Sequence, residues 1–381
     1  MKSNGKANIG KRLPYYVQLV GLLAIIGNPK SIPAVSTVPP RPPASLSQAK
    51  DTVSIAEVAA RANVSIATVS RVLNGVSSKF SPATQQKVMQ AVAALGYRPT
   101  VAGRSLRSGQ SRLVAVLASN LGNPSMAAIA AAAEVALRKA GYVMVLCDTH
   151  DQPELQDEYL LEMGSHYARG LVLLGAVDSP QLGRLAQRSG HMVFVNRRSP
   201  VPLSDARYVG IDNQAAVKTV ADWMVEHCRG RFGMIHGDVR SSATRERVDG
   251  FLDTCRKLKV PLAQPYIRSS AGLSHLDIGF AGMQALMALK QPPKAVFCTS
   301  DLIAYGAHRQ LRENYPAQLD QVALVGFDHS PLNSWIAPWL NGVRVPYGEY
   351  GDAIFRAMQS EQPQDILLPY QWVSAAGASQ P

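Results

Sequence analysis

Apolar residues recur at helical spacing close to residue 55. Ile55, Val58 and Ala62 fall on one face of a helix. Ser54 precedes this face, and Glu57 stands three residues further on, which is the spacing of a capping box. The pattern therefore predicts a short helix that begins just after Ser54.

A second and a third helix are predicted directly downstream. Asn63 tolerates the left-handed backbone of a tight turn, and the stretch SIATVSRVLNG then starts a helix at Ser65 that buries Val69 and Val72. Proline in the first turn marks a third helix over residues 82–95. Two short helices joined by a tight turn and covered by a third predict a helix-turn-helix.

From residue 112 onward, short apolar runs alternate with longer stretches of helical spacing. The strand-like runs are LVAVLAS, YVMVLCDT, GLVLLGA, HMVFVN and VALVGFD. Repeated alternation of strand and helix predicts parallel sheets covered by helices. Residues 112–373 exceed one compact sheet, so we expect two lobes with a ligand cleft beyond the carboxyl ends of the strands.

The positive charge is concentrated at one end of the chain. The 39 basic and 27 acidic residues leave a net charge of +12. Residues 1–112 hold 15 basic and 2 acidic residues, a net charge of +13, whereas the remainder holds 24 and 25, a net charge of -1. This distribution is typical of a protein in which one end contacts a polyanion such as nucleic acid.

Sequence signatures of catalysis and of metal binding are missing. There is no GxGxxG after a strand, no P-loop, no GxSxG and no HExxH, so we predict that the chain is not an enzyme and takes no cofactor. His236 and Asp238 lack a third ligand, so no metal is predicted. The cysteines are widely spaced, which favours free thiols in a reducing cytosol: Cys147, Cys228, Cys255 and Cys298.

The second helix of the helix-turn-helix carries the residue types that contact DNA. In this motif the second helix enters the major groove. Serine and threonine can bond phosphate, isoleucine and alanine can contact thymine methyl groups, and arginine can pair with a guanine edge. The predicted DNA-contacting residues of this helix are Ser65, Ile66, Ala67, Thr68, Ser70 and Arg71.

The strings VSIAEVAARANVSIATVSRVLNG and SPATQQKVMQAVAALGYRPTVAGRSLRSG closely resemble the DNA-binding head of the LacI/GalR family of repressors. The resemblance implies a helix-turn-helix domain at residues 51–98 and a hinge at residues 99–111 that becomes helical on DNA. It places Leu106 as a wedge between base pairs, with Arg104 and Arg107 on phosphates. Gly103 departs from the family pattern and disfavours hinge folding.

Polar residues at the carboxyl ends of the predicted strands are the candidates for the ligand site: Asn120, Asn196, Arg197, Asp212, Arg247 and Asp301. The resemblance covers residues 112–373 as well and implies an effector-binding and dimerisation domain similar in fold to periplasmic sugar-binding proteins. It implies that Asn196, Arg197, Arg247 and Asp301 contact the effector, a sugar or a sugar acid. Two arginines favour an acidic or phosphorylated sugar. The aromatic residue that the family often stacks on its ligand, expected near residues 273–275, is absent.

The first fifty residues have the outline of a secretory signal. Basic residues precede the apolar run YYVQLVGLLAII, and a segment rich in proline and serine follows. The run is too short to span a bilayer. An export signal, a membrane-touching extension and an extension without a targeting role are all open. We predict that residues 1–50 form an unstructured extension or linker.

Together these features predict a small all-α helix-turn-helix head joined to an α/β two-lobed, periplasmic-binding-protein-like effector domain with parallel sheets. Residues 374–381 are predicted to be a tail. We expect a cytoplasmic repressor, a homodimer or a larger assembly, that binds a palindromic operator in double-stranded DNA and has no membrane association. The alternative is a periplasmic sugar-binding protein, which the apolar leader and the two-lobed domain would also suit.

Overall fold

The computed structural model describes residues 53–73, 80–97, 111–166, 168–186, 192–270 and 272–375. Two compact units make up the chain, Met1–Pro99 and Thr100–Pro381. The leader at residues 1–50 and the four predicted hinge residues, Gly103, Arg104, Leu106 and Arg107, lie outside the described residues.

Helices and strands alternate through most of the second unit, as the apolar pattern predicts. The helices are α1 (Ile55–Ala62), α2 (Ile66–Leu73), α3 (Pro82–Leu95), α4 (Pro124–Lys139), α5 (Pro153–His166), α6 (Leu182–Ala186), α7 (Asn213–His227), α8 (Ser242–Lys257), α9 (His275–Met287), α10 (Asp301–Asn314), α11 (Asn333–Ile336) and α12 (Tyr350–Gln359). The strands are β1 (Leu113–Ala118), β2 (Val143–Asp148), β3 (Ala168–Leu174), β4 (Met192–Val195), β5 (Arg207–Ile211), β6 (Phe232–His236), β7 (Ile267–Ser269), β8 (Ala295–Cys298), β9 (Ala323–Asp328), β10 (Asn341–Arg344), β11 (Asp365–Leu368) and β12 (Gln371–Val373).

The head consists of α1, α2 and α3, and local signals set its helix boundaries. Ser54 accepts a hydrogen bond from the backbone N–H of Glu57, whose side chain accepts one from the Ser54 backbone N–H, which completes the predicted capping box. Asn63 closes α1 in the left-handed conformation with a φ of 53°. Val58, Val69 and other apolar residues of the three helices form a common buried core.

The second unit contains two sheets, one in each lobe. The first sheet has the strand order β11-β5-β4-β3-β1-β2, and all of its pairings are parallel. The second sheet has the order β12-β10-β9-β8-β6-β7. It is parallel except at its edge, where β12 pairs with β10 in the antiparallel direction. The predicted parallel two-lobed fold is therefore confirmed, with one antiparallel edge strand that the pattern did not indicate.

The chain passes between the lobes where a strand of one sheet is followed by an element of the other lobe. One passage lies between β5 and α7, another between β10 and α12, and another between β11 and β12. Short 3₁₀ helices lie at Gln264–Tyr266, Pro316–Gln321 and Tyr347–Glu349. None of the described helices combines the length and the apolar character that crossing a membrane requires.

Candidate DNA-binding and effector sites

In α2, the predicted DNA-contacting residues lie on the side away from the core of the head. Ser65, Ile66, Ala67 and Arg71 are exposed, and Thr68 and Ser70 are half-buried. On the opposite side of the helix, Val69 and Val72 are buried. The helix therefore presents one continuous solvent-facing surface, as a helix that enters the major groove must.

Arg247 lies in the cleft between the lobes, on α8, and is buried. Its Nε donates a hydrogen bond to Asn213 Oδ1 at 2.9 Å, and one terminal nitrogen donates to the Thr299 carbonyl oxygen at 2.9 Å. The same nitrogen lies 3.5 Å from a carboxylate oxygen of Asp328. The guanidinium also covers the Phe327 ring, with 3.7 Å to the centroid. Four partners, from α7, from the segment after β8 and from β9, thus hold this cation rigidly in place.

Asp301 begins α10, directly after β8, and its carboxyl group is also buried. Oδ2 accepts hydrogen bonds from the Ser330 backbone N–H at 2.7 Å and from the Asn333 side-chain amide at 3.0 Å. Oδ1 is buried and has no partner among the described residues. Burial and the neighbouring charge of Asp328 raise the pKa of Asp301 above its ordinary value. Oδ1 is therefore free for a ligand hydroxyl group, from which it accepts a hydrogen bond when the carboxyl group is ionised.

Asp328 joins both lobes. Its backbone carbonyl oxygen lies 3.0 Å from the Tyr347 hydroxyl, which also lies 2.9 Å from Ser125 Oγ in the first lobe. Burial raises the pKa of Asp328, and the positive charge of Arg247 works in the opposite direction. Asp328 was among the strand-end residues considered from the sequence, but only the fold gives it this central position.

The first lobe contributes Arg197, which follows β4. Its guanidinium donates to Asp151 Oδ1 at 2.5 Å and to the Gly175 carbonyl oxygen at 3.3 Å. Gly175 has a φ of 88°, and a Cβ there would collide with Ser119. Asn196, the other candidate on this turn, has a left-handed φ of 64°. The turn after β4 thus directs its arginine toward the loop that follows β2.

Left-handed backbone in residues other than glycine is concentrated at the cleft. Five of the seven described cases lie at the carboxyl ends of three strands, at His150, Asp151, Asn196, Asp328 and His329, and the other two are Asn63 and Lys259. Such conformations cost about 1–3 kcal/mol each and persist mainly where the surrounding structure holds them for a function. Their position supports the assignment of this edge as the ligand site.

His275 is a cleft residue that sequence reasoning missed. Its Nδ1 lies 3.0 Å from Ser300 Oγ. Burial lowers its pKa, and the nearby cations Arg197 and Arg247 lower it further. The imidazole lies in the segment where an aromatic residue was expected. Its position at the start of α9 was the only signal in the sequence.

Asn120 and Asp212 have local roles. Asn120 Oδ1 accepts from the backbone N–H of Gly122 at 2.8 Å, and Asp212 Oδ1 caps α7 by accepting from the Ala215 N–H at 2.9 Å. Their contact with an effector stays a prediction. Arg197, Arg247 and Asp301 lie around one cleft together with His275, and Asn196 precedes Arg197 on the same turn. Their contact with an effector is likewise a prediction.

The lobes are also bridged directly by Arg198. Its backbone N–H donates to Ser242 Oγ at 2.8 Å, and its Nε lies 3.3 Å from a carboxylate oxygen of Glu246, both on α8. Its terminal nitrogen pairs with Asp365 at 2.7 Å. Opening or closing the cleft must rearrange these contacts.

His236 and Asp238, considered above as a possible metal pair, have other partners. His236 Nδ1 lies 2.8 Å from the Gly237 carbonyl oxygen, and Asp238 forms an ion pair with Arg240. Within the described ranges, no group of three or more histidine, cysteine, aspartate or glutamate side chains is placed to bind a metal.

Comparison with known proteins links both domains to one family. Residues 54–100 match the model for bacterial regulatory proteins of the lacI family. Residues 110–327 match the model for periplasmic binding proteins and the sugar-binding domain of the LacI family. The HTH-type transcriptional repressor CytR of Escherichia coli (strain K12) is 28% identical over 312 residues, which are 81% of this chain and 90% of that protein.

Solved structures show the same fold. A transcriptional regulator CelR in complex with cellobiose superimposes with a TM-score of 0.62 at 26% identity, covering 84% of this chain and 98% of that one. The lac repressor dimer bound to operator and an anti-inducer superimposes with a TM-score of 0.67 at 21% identity. This match also covers 84% of this chain and 98% of that one. These matches confirm a regulator rather than an enzyme, and the match at residues 54–100 favours it over a periplasmic binding protein.

Proposed function

Because the chain belongs to the LacI family of bacterial regulatory proteins, we propose that it is a cytoplasmic homodimeric repressor of a palindromic operator, controlled by a neutral polyhydroxylated effector. The observation that carries the proposal is the cleft site, in which buried Arg247 is neutralised by Asp328 and Asp301 keeps an unpartnered acceptor oxygen. The exposed face of α2 supplies the DNA-binding surface.

The charges of the cleft favour a neutral sugar over a sugar acid. Arg197 is paired with Asp151 and Arg247 with Asp328, so neither arginine brings an uncompensated positive charge. Asp301 adds a buried acid without a cation of its own. A ligand carboxylate or phosphate would have to displace an existing carboxylate, whereas a hydroxyl group can donate directly to Asp301 Oδ1.

An exposed apolar patch on the second lobe supports dimerisation. Leu276 on α9, Leu332 before α11, and Trp335 and Ile336 on α11 are all exposed, and Trp335 is 84% exposed. The helices are neighbours, because α9 packs closely on α10 and the Tyr305 hydroxyl of α10 donates to Asn333 of α11. We assign this patch to the interface with a second copy, since large exposed apolar patches mark such surfaces.

Sedimentation velocity tests the assignment of the patch. We expect Trp335→Glu to shift the protein from dimer to monomer, because a charge would be buried in an apolar interface. The matched control is Leu258→Glu, another exposed apolar position, which should remain dimeric. A Trp335→Glu protein that stays dimeric would place the interface elsewhere.

A mobility-shift experiment tests the function. The full chain is incubated with DNA from upstream of its own gene, at stated salt concentrations, and titrated with neutral sugars and their acids. We expect a specific complex with a steep salt dependence, because phosphate contacts release counterions, and a stronger response to a neutral sugar. Asp301→Asn should remove the response, whereas Asp320→Asn, an exposed acid preceding β9, should keep it. A salt dependence too shallow for several phosphate contacts would count against operator recognition.

A further inference from the structure

A cavity of about 420 Å³ lies beside the effector site and is separate from it. Residues 329–331 and Ser334, which follow β9, supply one wall, and residues 344–349, which lead from β10 toward α12, supply the other. Neither Arg247 nor Asp301 lines this cavity. Sites for small molecules typically enclose about 300–1,000 Å³, so the cavity has room for one small ligand.

Two opposite charges line the cavity without pairing with each other. Arg344 ends β10, and Glu349 ends the short 3₁₀ helix at Tyr347–Glu349. Both are exposed, and neither side chain forms an ion pair or a hydrogen bond with another described residue. The cavity therefore offers a cation to a ligand anion and an anion to a ligand cation, and its own two charges cancel.

His329 adds a polar group that lacks a partner. Its Nδ1 is buried and has no hydrogen-bond partner among the described residues. Burial lowers the pKa of His329 to about 4, and the positive charge of Arg344 lowers it as well, so the ring is neutral at neutral pH. A buried nitrogen without a hydrogen bond is costly, and a ligand in the cavity could supply the missing partner.

The other walls are largely apolar. Pro331, Val345, Pro346 and the Tyr347 ring line the space around the charged groups. A matching ligand therefore carries a positive and a negative group close together and an apolar part beside them. Free α-amino acids with apolar side chains have this arrangement, and as zwitterions they have no net charge.

We propose that this cavity binds a free α-amino acid with an apolar side chain, with its carboxylate on Arg344 and its ammonium group on Glu349. Arginine suits the first role because its planar fork of donors matches a carboxylate. The inference goes beyond the proposed function, since the site lies outside the effector cleft and its test requires neither operator nor effector.

The cavity shares a wall with the effector site. Ser330 lines the cavity, and its backbone N–H donates to Asp301 Oδ2 at 2.7 Å. Tyr347 also lines the cavity, and its hydroxyl group contacts the Asp328 carbonyl oxygen and Ser125 of the first lobe. An amino acid in the cavity would thus touch the loop that positions the acid of the effector site.

Calorimetry with the full-length protein tests the proposal. The protein is titrated with L-valine, L-leucine, L-methionine and L-phenylalanine, and we expect saturable binding of at least one. The tightest ligand is then compared with its amide, which lacks the carboxylate, and with its α-hydroxy acid, which lacks the ammonium group. Each derivative should bind at least about tenfold more weakly, the equivalent of about 1.4 kcal/mol, because one charged contact is lost.

Protein variants assign each charge of the ligand to its partner. Arg344→Gln should weaken binding of the amino acid about tenfold but should not weaken binding of the amide. Glu349→Gln should weaken binding of the amino acid about tenfold but should not weaken binding of the α-hydroxy acid. The matched controls are Arg356→Gln and Glu361→Gln, exposed charges that do not line the cavity, and both should bind the amino acid like wild type. Circular dichroism checks that every variant is folded.

Three results would overturn the inference. The first is that none of the four amino acids binds at concentrations up to about 10 mM. The second is that the amide and the α-hydroxy acid bind as tightly as the amino acid. The third is that folded Arg344→Gln and Glu349→Gln proteins both bind the amino acid like wild type. Each result leaves the proposed function intact, because operator binding and the response to sugars are measured separately.

Discussion

The buried ion pair between Arg247 and Asp328 allows a quantitative test of the cleft. Replacing Arg247 by methionine keeps much of the side-chain volume but removes the charge, which leaves the Asp328 carboxylate buried without its cation. Two unit charges 3.5 Å apart interact by about 5 kcal/mol at an effective dielectric constant of about 20. Loss of one partner of a buried pair typically costs about 3–5 kcal/mol. We expect Arg247→Met to lower the free energy of unfolding by that amount at pH 8.

The loss should depend on pH in a defined direction. Burial already raises the pKa of Asp328, and Arg247 holds it down. Without Arg247 this pKa rises further, so the folded variant binds a proton that the unfolded chain, with an ordinary aspartate pKa, has released. Stability of the variant then falls as pH rises toward the new pKa. The difference in the free energy of unfolding between the variant and wild type should therefore be smaller at pH 5 than at pH 8. This difference can change by at most about 1.4 kcal/mol per pH unit, because one proton is involved.

Urea unfolding followed by tryptophan fluorescence provides the assay. Trp223, Trp335, Trp339 and Trp372 are the tryptophans of the chain, and all lie in the second unit, so the signal reports the effector domain. The matched control is Arg240→Met, since Arg240 forms an ion pair with Asp238 but its side chain is 89% exposed; no measurable loss is expected. The double variant Arg247→Met/Asp328→Asn should recover most of the stability. A loss that is independent of pH, or equal to that of the control, would refute the reasoning.

Three further predictions concern the effector site, the packing of the second lobe and the hinge. Effector affinity should rise with pH toward the elevated pKa of Asp301, because a ligand hydroxyl group donates to the carboxylate. Calorimetry should show that Asp301→Asn removes this pH dependence. An affinity of the wild-type protein that does not change with pH would contradict the prediction. Gly306→Ala should lower the free energy of unfolding by about 1–3 kcal/mol in urea titrations, because a Cβ there would collide with the Leu276 carbonyl oxygen. An unchanged midpoint of the urea unfolding transition would disprove that close contact. Leu106→Ala should weaken operator binding in mobility-shift titrations, and Gly103→Ala should strengthen it by up to about 1 kcal/mol per hinge; unchanged binding by Leu106→Ala would exclude the wedge.

Much of the head could be predicted because short-range signals define it. The hydrogen bonds between Ser54 and Glu57, the left-handed turn at Asn63 and the proline in the first turn of α3 all depend on residues within a few positions of one another. The strands of both sheets were predictable for a related reason, since apolar runs that are buried on both faces identify themselves by composition. The antiparallel strand β12 was not predicted, because three residues at a sheet edge carry too little pattern.

The candidate site was predicted in outline, whereas its ion pairs were not. The carboxyl ends of parallel strands indicated Arg197 and Asp301, which follow β4 and β8, and the family resemblance indicated Arg247, which lies on α8. Which acid neutralises which arginine could not be derived, since Asp151 is 46 positions from Arg197 and Asp328 is 81 positions from Arg247. The two arginines alone favoured an anionic ligand, whereas their ion pairs with Asp151 and Asp328 support the neutral effector proposed above.

The sequence by itself determined that a basic helix-turn-helix head precedes a two-lobed α/β domain, because helix caps, turns and apolar periodicity are local properties of the chain. Only the tertiary structure decided the electrostatics of the cleft. Burial shifts the pKa of Asp301, Asp328 and His275, and contacts between distant segments neutralise the arginines. Desolvation and ion pairing depend on which atoms are brought together in space, and residue spacing along the chain does not contain that information.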